Sequence, residues 1–175
     1  LWMVCKADTL SSTKRGESNG EFNPKNPLLS VFSKVKLNKE VKEERAYPLT
    51  TLSFDDFAFP GLKKDKVKDA KIRHRTYEEI YADFGHYFSS LYPDLMLAFL
   101  EKEATFIPAG TGEDEGVSLF DHLKTTCAIA SCMYLYYKDS LNKDIKEQIL
   151  NGNEENYLLI SGDISGIQKF IYNKI

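Results

Sequence analysis

The chain has 175 residues, of which 42% are apolar and 13% aromatic. That is enough to build the core of one domain or parts of two, and too much for a disordered segment. A formal net charge of −3 excludes nucleic-acid binding argued from bulk charge, so any such contact has to come from a local patch.

Three cysteines occur, Cys5, Cys127 and Cys132, with no C-x-x-C pair, which argues against a zinc ribbon within the chain. Cys127 and Cys132 fall in an apolar, helix-like stretch and are expected to be buried, reduced thiols. The apolar start Leu1-Trp2-Met3-Val4 is too short for a signal peptide, and Lys6 and Asp8 follow at once. The longest apolar stretch, Cys127 to Tyr137, is too short to span a membrane. The expectation is a soluble, cytoplasmic protein without a membrane partner. The chain opens on Leu1 rather than Met and stops inside a helical pattern, so it is expected to be a piece of a longer polypeptide.

In chain order, Leu1 to Ser11 reads as the end of a helix, with apolar positions at Trp2, Val4 or Cys5, and Leu10. Ser11 to Asn26 is rich in Ser, Gly and Asn and reads as a loop. "PLLSVFSKVKL" (Pro27 to Leu37) carries β-branched residues at Val31 and Val35 and predicts a strand. After the charged turn "NKEVKEER", "AYPLTTLSF" predicts a second strand, with Pro48 favouring an edge or an entry position. The two are expected to pair as a hairpin. Phe59 to Arg75 is a loop with a basic bias. Lys63, Lys64, Arg73 and Arg75 within it are candidates for phosphate contact with RNA, although Asp65 and Asp69 dilute the field and a solvated linker is the favoured account of them.

Thr76-Tyr77-Glu78-Glu79 is a capping-box pattern. Apolar residues at helical spacing follow, from Ile80 to Leu91. Tyr92-Pro93-Asp94 interrupts this run, and a second helix is predicted over Leu95 to Glu103. "PAGTGEDEG" is a loop. Ser118-Leu119-Phe120-Asp121 resembles a box-like helix start and opens a long helix to about Asp139, apolar enough to be well buried. "LNKDIKEQIL" predicts a short surface helix. Leu158 to Ile160 predict a strand leading through Gly162-Asp163 and a turn at Ser165-Gly166 into a last helical segment. The fold class is mainly α with a small β portion.

Three constellations carry chemistry. Asp8, near the end of the first helix in "ADTLSS", is either turn chemistry or a ligand. His122, in the first turns of an apolar helix, is either a hydrogen-bonded core histidine or a ligand. A fold that brings the two together makes a carboxylate–imidazole site for a divalent metal. In "LLISGDISGIQKF", Gly162 and Gly166 permit close backbone approach, and Asp163 ends an apolar strand where a carboxylate can hold a divalent ion against a triphosphate. The following helix start offers N–H groups to phosphate. The motif is neither a P-loop nor a dinucleotide fingerprint, and a plain buried strand-turn-helix remains the alternative.

Taken in order, "ADTLSS", "NPLLSVFSKVKL", "YPLTTL", "FIPAGT", "VSLFDHLKTTCAIASCMYLY" and "LLISGDISGIQKFIY" resemble the large subunit of type III-A CRISPR–Cas effector (Csm) complexes, a protein with an HD domain and two cyclase-like palm domains. The resemblance implies a circularly permuted HD domain in which Asp8 and His122 are metal ligands for manganese, cobalt or nickel. It implies that Gly162, Asp163, Ser165 and Gly166 belong to the first strand and helix of a ferredoxin-like palm that uses magnesium and ATP, with Asp163 a further metal ligand. The implied division is 1–26 for the end of the HD-like domain, 27–75 for a hairpin-like linker, 76–152 for a helical segment with the His-bearing helix, and 153–175 for the start of the palm. The implied activities are single-stranded DNA cleavage and cyclic oligoadenylate synthesis in antiviral defence, with guide RNA, target RNA and smaller Csm subunits as partners. The chain departs from the pattern in lacking a His-Asp dyad, a G-G-D-D segment and the cysteine set of the family. A non-catalytic helical scaffold and a stand-alone nucleotidyl cyclase with a helical sensor are the alternatives.

Overall fold

The computed structural model describes residues 1–12, 26–33, 43–52, 59–65, 85, 92–110, 116–140, 143–151, 158, 160 and 161. Within these the chain is mainly helical, with one two-stranded antiparallel sheet. The helices are α1 (Trp2–Ser11), α2 (Pro93–Ala104), α3 (Leu119–Tyr137) and α4 (Lys143–Asn151). The strands are β1 (Arg45–Ala46) and β2 (Gly61–Leu62), paired with Arg45 opposite Leu62 and Ala46 opposite Gly61. No described helix is long and apolar enough to cross a membrane. The capping-box pattern at Thr76 and the apolar run to Leu91 lie outside the described residues, apart from Gly85, which is helical.

The principal core joins α1, α3 and α4. Ala7, Met133, Tyr137 and Ile149 are buried together, with Trp2, Met3, Ile129, Ala130 and Ile145 packed around them. Ile129, Met133 and Tyr137 recur every four residues and so line one face of α3. Ile145 and Ile149 do the same on α4. Ala7 is fully buried, and its single methyl lets the axes of α1 and α3 approach closely. The Lys6 ammonium donates to the Leu150 carbonyl (3.1 Å), tying α1 to one of the orphan carbonyls at the end of α4. Burying Met133 contributes about 1.5–3 kcal/mol. Trp2 and Met3 sit at the Met133–Tyr137 end of α3, whereas Ser11 meets His122 and Thr126. The two helices therefore run antiparallel.

Leu28, Leu29, Ala46, Ala104, Phe106, Ile107 and Phe120 are buried as well. Tyr47 stacks on Phe106 with centroids 5.1 Å apart, and the Leu52 N–H donates to the Lys102 carbonyl (2.7 Å). α2 starts where the chain chemistry dictates: Pro93 stands in its first turn, where a missing N–H is harmless, and Tyr92 before it is extended (φ −64°, ψ 150°).

Several expectations are corrected. Pro27 to Leu37 is not a strand over its described part. Leu29 makes a single bridge to Ala46, and Val31–Ser33 then form a 3₁₀ turn with Val31 and Phe32 exposed. The cause is a side chain that competes for the backbone. The Ser33 hydroxyl donates to the Arg45 carbonyl (2.9 Å) and accepts the Arg45 N–H (2.8 Å), replacing the next rung of a ladder. The strand predicted from Ala46 onward is confined to Arg45–Ala46, and its ladder partner is Gly61–Leu62, in the segment expected to be a loop. Ser118 precedes α3 without capping it. Its hydroxyl points to the Ala104 carbonyl (3.4 Å), while the Leu119 N–H is taken by the Ile107 carbonyl (2.7 Å). With the chain before α3 already supplying an acceptor, the box has less left to satisfy.

Cys5, Cys127 and Cys132 are exposed, not buried. α3 is apolar on nearly every side, and among the described residues its face toward α1 is the main one covered: Tyr134, Leu135 and Tyr136 are exposed as well. On α1, Ala7 takes the central buried position while Val4, Cys5 and Leu10 face outward. Leu158 and Ile160, expected in a strand, are unpaired and more than four-fifths exposed. A strand is stable only beside neighbours, and no described strand lies next to them.

Candidate functional site

The α1–α3 interface changes character along its length. At the end opposite Met133 and Tyr137, the facing positions are polar: Asp8 and Ser11 on the last turn of α1, His122 and Thr126 one helical turn apart on α3. His122 Nε2 lies 2.9 Å from Asp8 Oδ1. On the other side of the ring, Ser11 Oγ lies 3.3 Å from His122 Nδ1 and 2.6 Å from Thr126 Oγ1. The His122 side chain is 12% exposed and that of Asp8 50%. One partner is thus held in the protein while the other opens to solvent.

The backbone of Asp8 is fixed by the end of α1 itself. Its carbonyl accepts the Ser12 N–H (3.1 Å), the Ser12 hydroxyl (2.7 Å) and the Ser11 hydroxyl (3.0 Å). The two serine hydroxyls thus add to the backbone bond that already closes the helix on this carbonyl. Asp8 itself is electrostatically misplaced. A carboxylate in the last turn of a helix opposes the macrodipole, where a cation would be favoured by about 0.3–1 kcal/mol at an exposed position. No basic residue occupies that turn. Positive charge brought to Asp8, on the imidazole or on an ion, would relieve the conflict.

The donor chemistry suits a divalent cation: a carboxylate oxygen and an imidazole nitrogen are ligands for manganese, cobalt and nickel alike. Their 2.9 Å separation is close to the edge of about 3.0 Å that two neighbouring ligands span on an octahedron with bonds of about 2.1 Å. A tetrahedral ion with such bonds needs about 3.4 Å. The same separation is that of a charge-assisted N–H···O bond, which is what holds the pair together without an ion. Among the described residues no third His, Cys, Asp or Glu joins them. Two such donors are fewer than the three protein ligands that a stable site usually takes.

No protein-family model matches the chain. Curated relatives do, and several carry one description, the CRISPR system single-strand-specific deoxyribonuclease Cas10/Csm1 of subtype III-A. The protein from Thermococcus onnurineus is 35% identical over 175 residues, covering 98% of this chain and 20% of the relative. That from Methanocaldococcus jannaschii is 30% identical, covering 98% and 25%. That from Mycobacterium tuberculosis is 38% identical, covering 90% and 20%. The chain belongs to the type III-A CRISPR large-subunit family. It spans a fifth to a quarter of the length of these relatives.

For a member of this family, the remaining candidate residues are distributed unevenly. Gly162, Asp163, Ser165 and Gly166 lie outside the described residues, as do Arg73 and Arg75. Lys63 is engaged by Glu44, with Nζ 3.1 Å from Oε2 and its own N–H on the Glu44 carbonyl (2.9 Å). Its charge is thereby partly neutralised at the foot of β2, whereas Lys64 is exposed. Sequence reasoning singled out Asp8 and His122, which the structure brings together, and passed over Ser11 and Thr126, which complete their surroundings. The signal was available in the spacing: Ser11 follows Asp8 by three residues and Thr126 follows His122 by four, so each falls on the same helix face as its partner.

Proposed function

We propose that the chain forms part of an HD-type metal centre in the large subunit of a type III-A CRISPR effector, and that this centre serves cleavage of single-stranded DNA. The observation that carries the reading is the Asp8–His122 juxtaposition across α1 and α3, in a chain whose relatives are named as single-strand-specific deoxyribonucleases. Asp8 and His122 hold manganese, cobalt or nickel together with ligands from outside the described residues. When bound, such an ion supplies acidification of water and positive charge against a phosphodiester. The half-exposed Asp8 places this chemistry where a flexible single strand has access. An Asp-bearing helix that comes before the His-bearing helix in the chain suits a permuted HD domain.

The remainder of the proposal follows the family resemblance. Residues 1–26 close the HD-like domain, 27–75 form a linker, 76–152 carry the His-bearing helix, and 153–175 begin a ferredoxin-like palm. There Gly162, Asp163, Ser165 and Gly166 bind ATP with magnesium, Asp163 as a metal ligand, for the synthesis of cyclic oligoadenylates. Lys63, Lys64, Arg73 and Arg75 are the weaker candidates for RNA contact, Lys63 least because Glu44 already engages it. The partners are guide RNA, target RNA and the smaller Csm subunits, in the cytoplasm, and the role is antiviral defence.

The test uses the full-length large subunit, a labelled single strand, and manganese, cobalt or nickel. Asp8→Ala and His122→Ala should each lower cleavage by at least the roughly 10–100-fold that loss of an outer partner costs a metal site. ATP conversion to oligoadenylates should persist in both. Undiminished cleavage in both variants would overturn the proposal.

A further inference from the structure

We infer that Ser11 is a positioning residue for His122: its hydroxyl is the hydrogen-bond partner that lets the imidazole change from a donor toward Asp8 into a ligand through Nε2. The inference rests on the metal reading of Asp8 and His122 and goes beyond it by naming the group that controls the ring.

The argument is a count of protons and lone pairs. A serine hydroxyl has one proton and two acceptor sites. Around Ser11 Oγ stand His122 Nδ1 at 3.3 Å, Thr126 Oγ1 at 2.6 Å and the Asp8 carbonyl at 3.0 Å. The first two can donate or accept, and the third only accepts. Without an ion, the ring proton belongs on Nε2, where it is donated to the Asp8 carboxylate 2.9 Å away. Nδ1 then offers a lone pair, Ser11 donates to it, and Thr126 donates to Ser11. The Asp8 carbonyl does not require the Ser11 proton in this arrangement, because the Ser12 N–H and hydroxyl already donate to it.

With Nε2 given over to a cation, the ring proton moves to Nδ1. Ser11 must then accept from Nδ1, and it does so by turning its proton to the Asp8 carbonyl, with Thr126 still donating. Both arrangements satisfy every group, and both draw on the same hydrogen-bond partners of Ser11. Metal-bound histidines almost always donate their second ring N–H to a fixed partner, which sets both tautomer and ring orientation. A carboxylate or carbonyl partner accepts only and would favour the Nδ1–H tautomer even without an ion. A hydroxyl accommodates either state. Thr126 is buried and keeps the hydroxyl aimed at the ring. Ser11 also couples the two ligands, since the proton it withdraws from the ring side arrives on the backbone of Asp8.

The experiment titrates the full-length large subunit, isotope-labelled at histidine, with Mn2+ from micromolar to tens of millimolar and follows paramagnetic broadening of the His122 ring resonances. In parallel, the Zn2+-loaded full-length subunit is inspected for a slowly exchanging imidazole N–H proton on Nδ1. Wild type should show selective broadening at His122 and the N–H signal. Ser11→Ala should raise the Mn2+ midpoint by roughly 10–100-fold and lose the N–H signal, and Ser11→Thr should restore both. If Mn2+ leaves the His122 ring of wild type unbroadened, the metal reading fails and this inference with it. If broadening is present in wild type but Ser11→Ala leaves the midpoint and the N–H signal unchanged, the inference about Ser11 is overturned while the metal reading stands. A lowered melting temperature with an unchanged midpoint in the folded protein likewise overturns it, by assigning Ser11 a structural role. Should Ser11→Ala fail to fold, Thr126→Val tests the same network: a raised midpoint supports the inference, and an unchanged one contradicts it.

Discussion

The two ends of the α1–α3 interface are built from the same pair of helices for different purposes. At one end, Ala7, Met133 and Tyr137 exclude water and join α4 through Ile149. At the other, a half-exposed Asp8 faces His122, and two hydroxyls fill the space behind the ring. The apolar end gains from every buried carbon. The polar end places a carboxylate against the helix dipole and holds it there with serines. Stability is concentrated where the chemistry is not, so that the site can keep groups arranged for a ligand instead of for packing.

That contrast can be broken most severely from the apolar side. Met133→Ala should lower folding stability by about 2–5 kcal/mol, the range for truncating a buried large side chain. Among molecules that remain folded, its Mn2+ midpoint should match wild type. Chemical denaturation alongside the metal titration reads both. Overfilling is the gentler version: Ala7→Leu forces extra carbons between α1 and α3 and should cost about 1–3 kcal/mol. A cost near zero would mean that the helices separate easily, and that Ala7 does not set their distance.

From the polar side the stability effect is smallest and the functional effect clearest. Asp8→Asn should change stability by no more than about 1 kcal/mol, as for other partly exposed ion pairs, because loss of the His122 contact is offset by relief at the end of α1. A loss of several kcal/mol would show that the pair serves the fold. A last prediction concerns the chain as it stands. Purified alone, it should make no cyclic oligoadenylate from ATP and magnesium, because preorganised charge for phosphoryl transfer needs more metal-holding groups than Asp163 supplies. Robust synthesis abolished by Asp163→Ala would contradict this.

How far the sequence was legible varied with how local the deciding physics was. α1, α2 and α3 were readable because helical periodicity and Pro93 act within a few residues. The meeting of Asp8 with His122 was anticipated from the order of their motifs, not from periodicity. The strand expected over Pro27 to Leu37 failed because the Ser33 hydroxyl competes for the backbone of Arg45, a contact between residues twelve apart that β-propensity does not register. The burial of Cys127 and Cys132 was misjudged because a helix apolar on all sides does not reveal which side meets its neighbour. Ser11 and Thr126 were passed over because a hydroxyl beside a ligand looks like ordinary helix-end chemistry until the second helix is in place.

The central claim is that the polar end of this interface binds a divalent ion through His122 and Asp8. Its most direct measurement is the Mn2+ midpoint of His122→Ala against wild type, read from paramagnetic broadening of backbone resonances at Asp8 and its neighbours. The account predicts that broadening around Asp8 in wild type shifts to at least tenfold higher Mn2+ in the variant, in line with the roughly 10–100-fold that even an outer partner contributes. Equal midpoints in the two proteins, or no broadening near Asp8 in either, would contradict it.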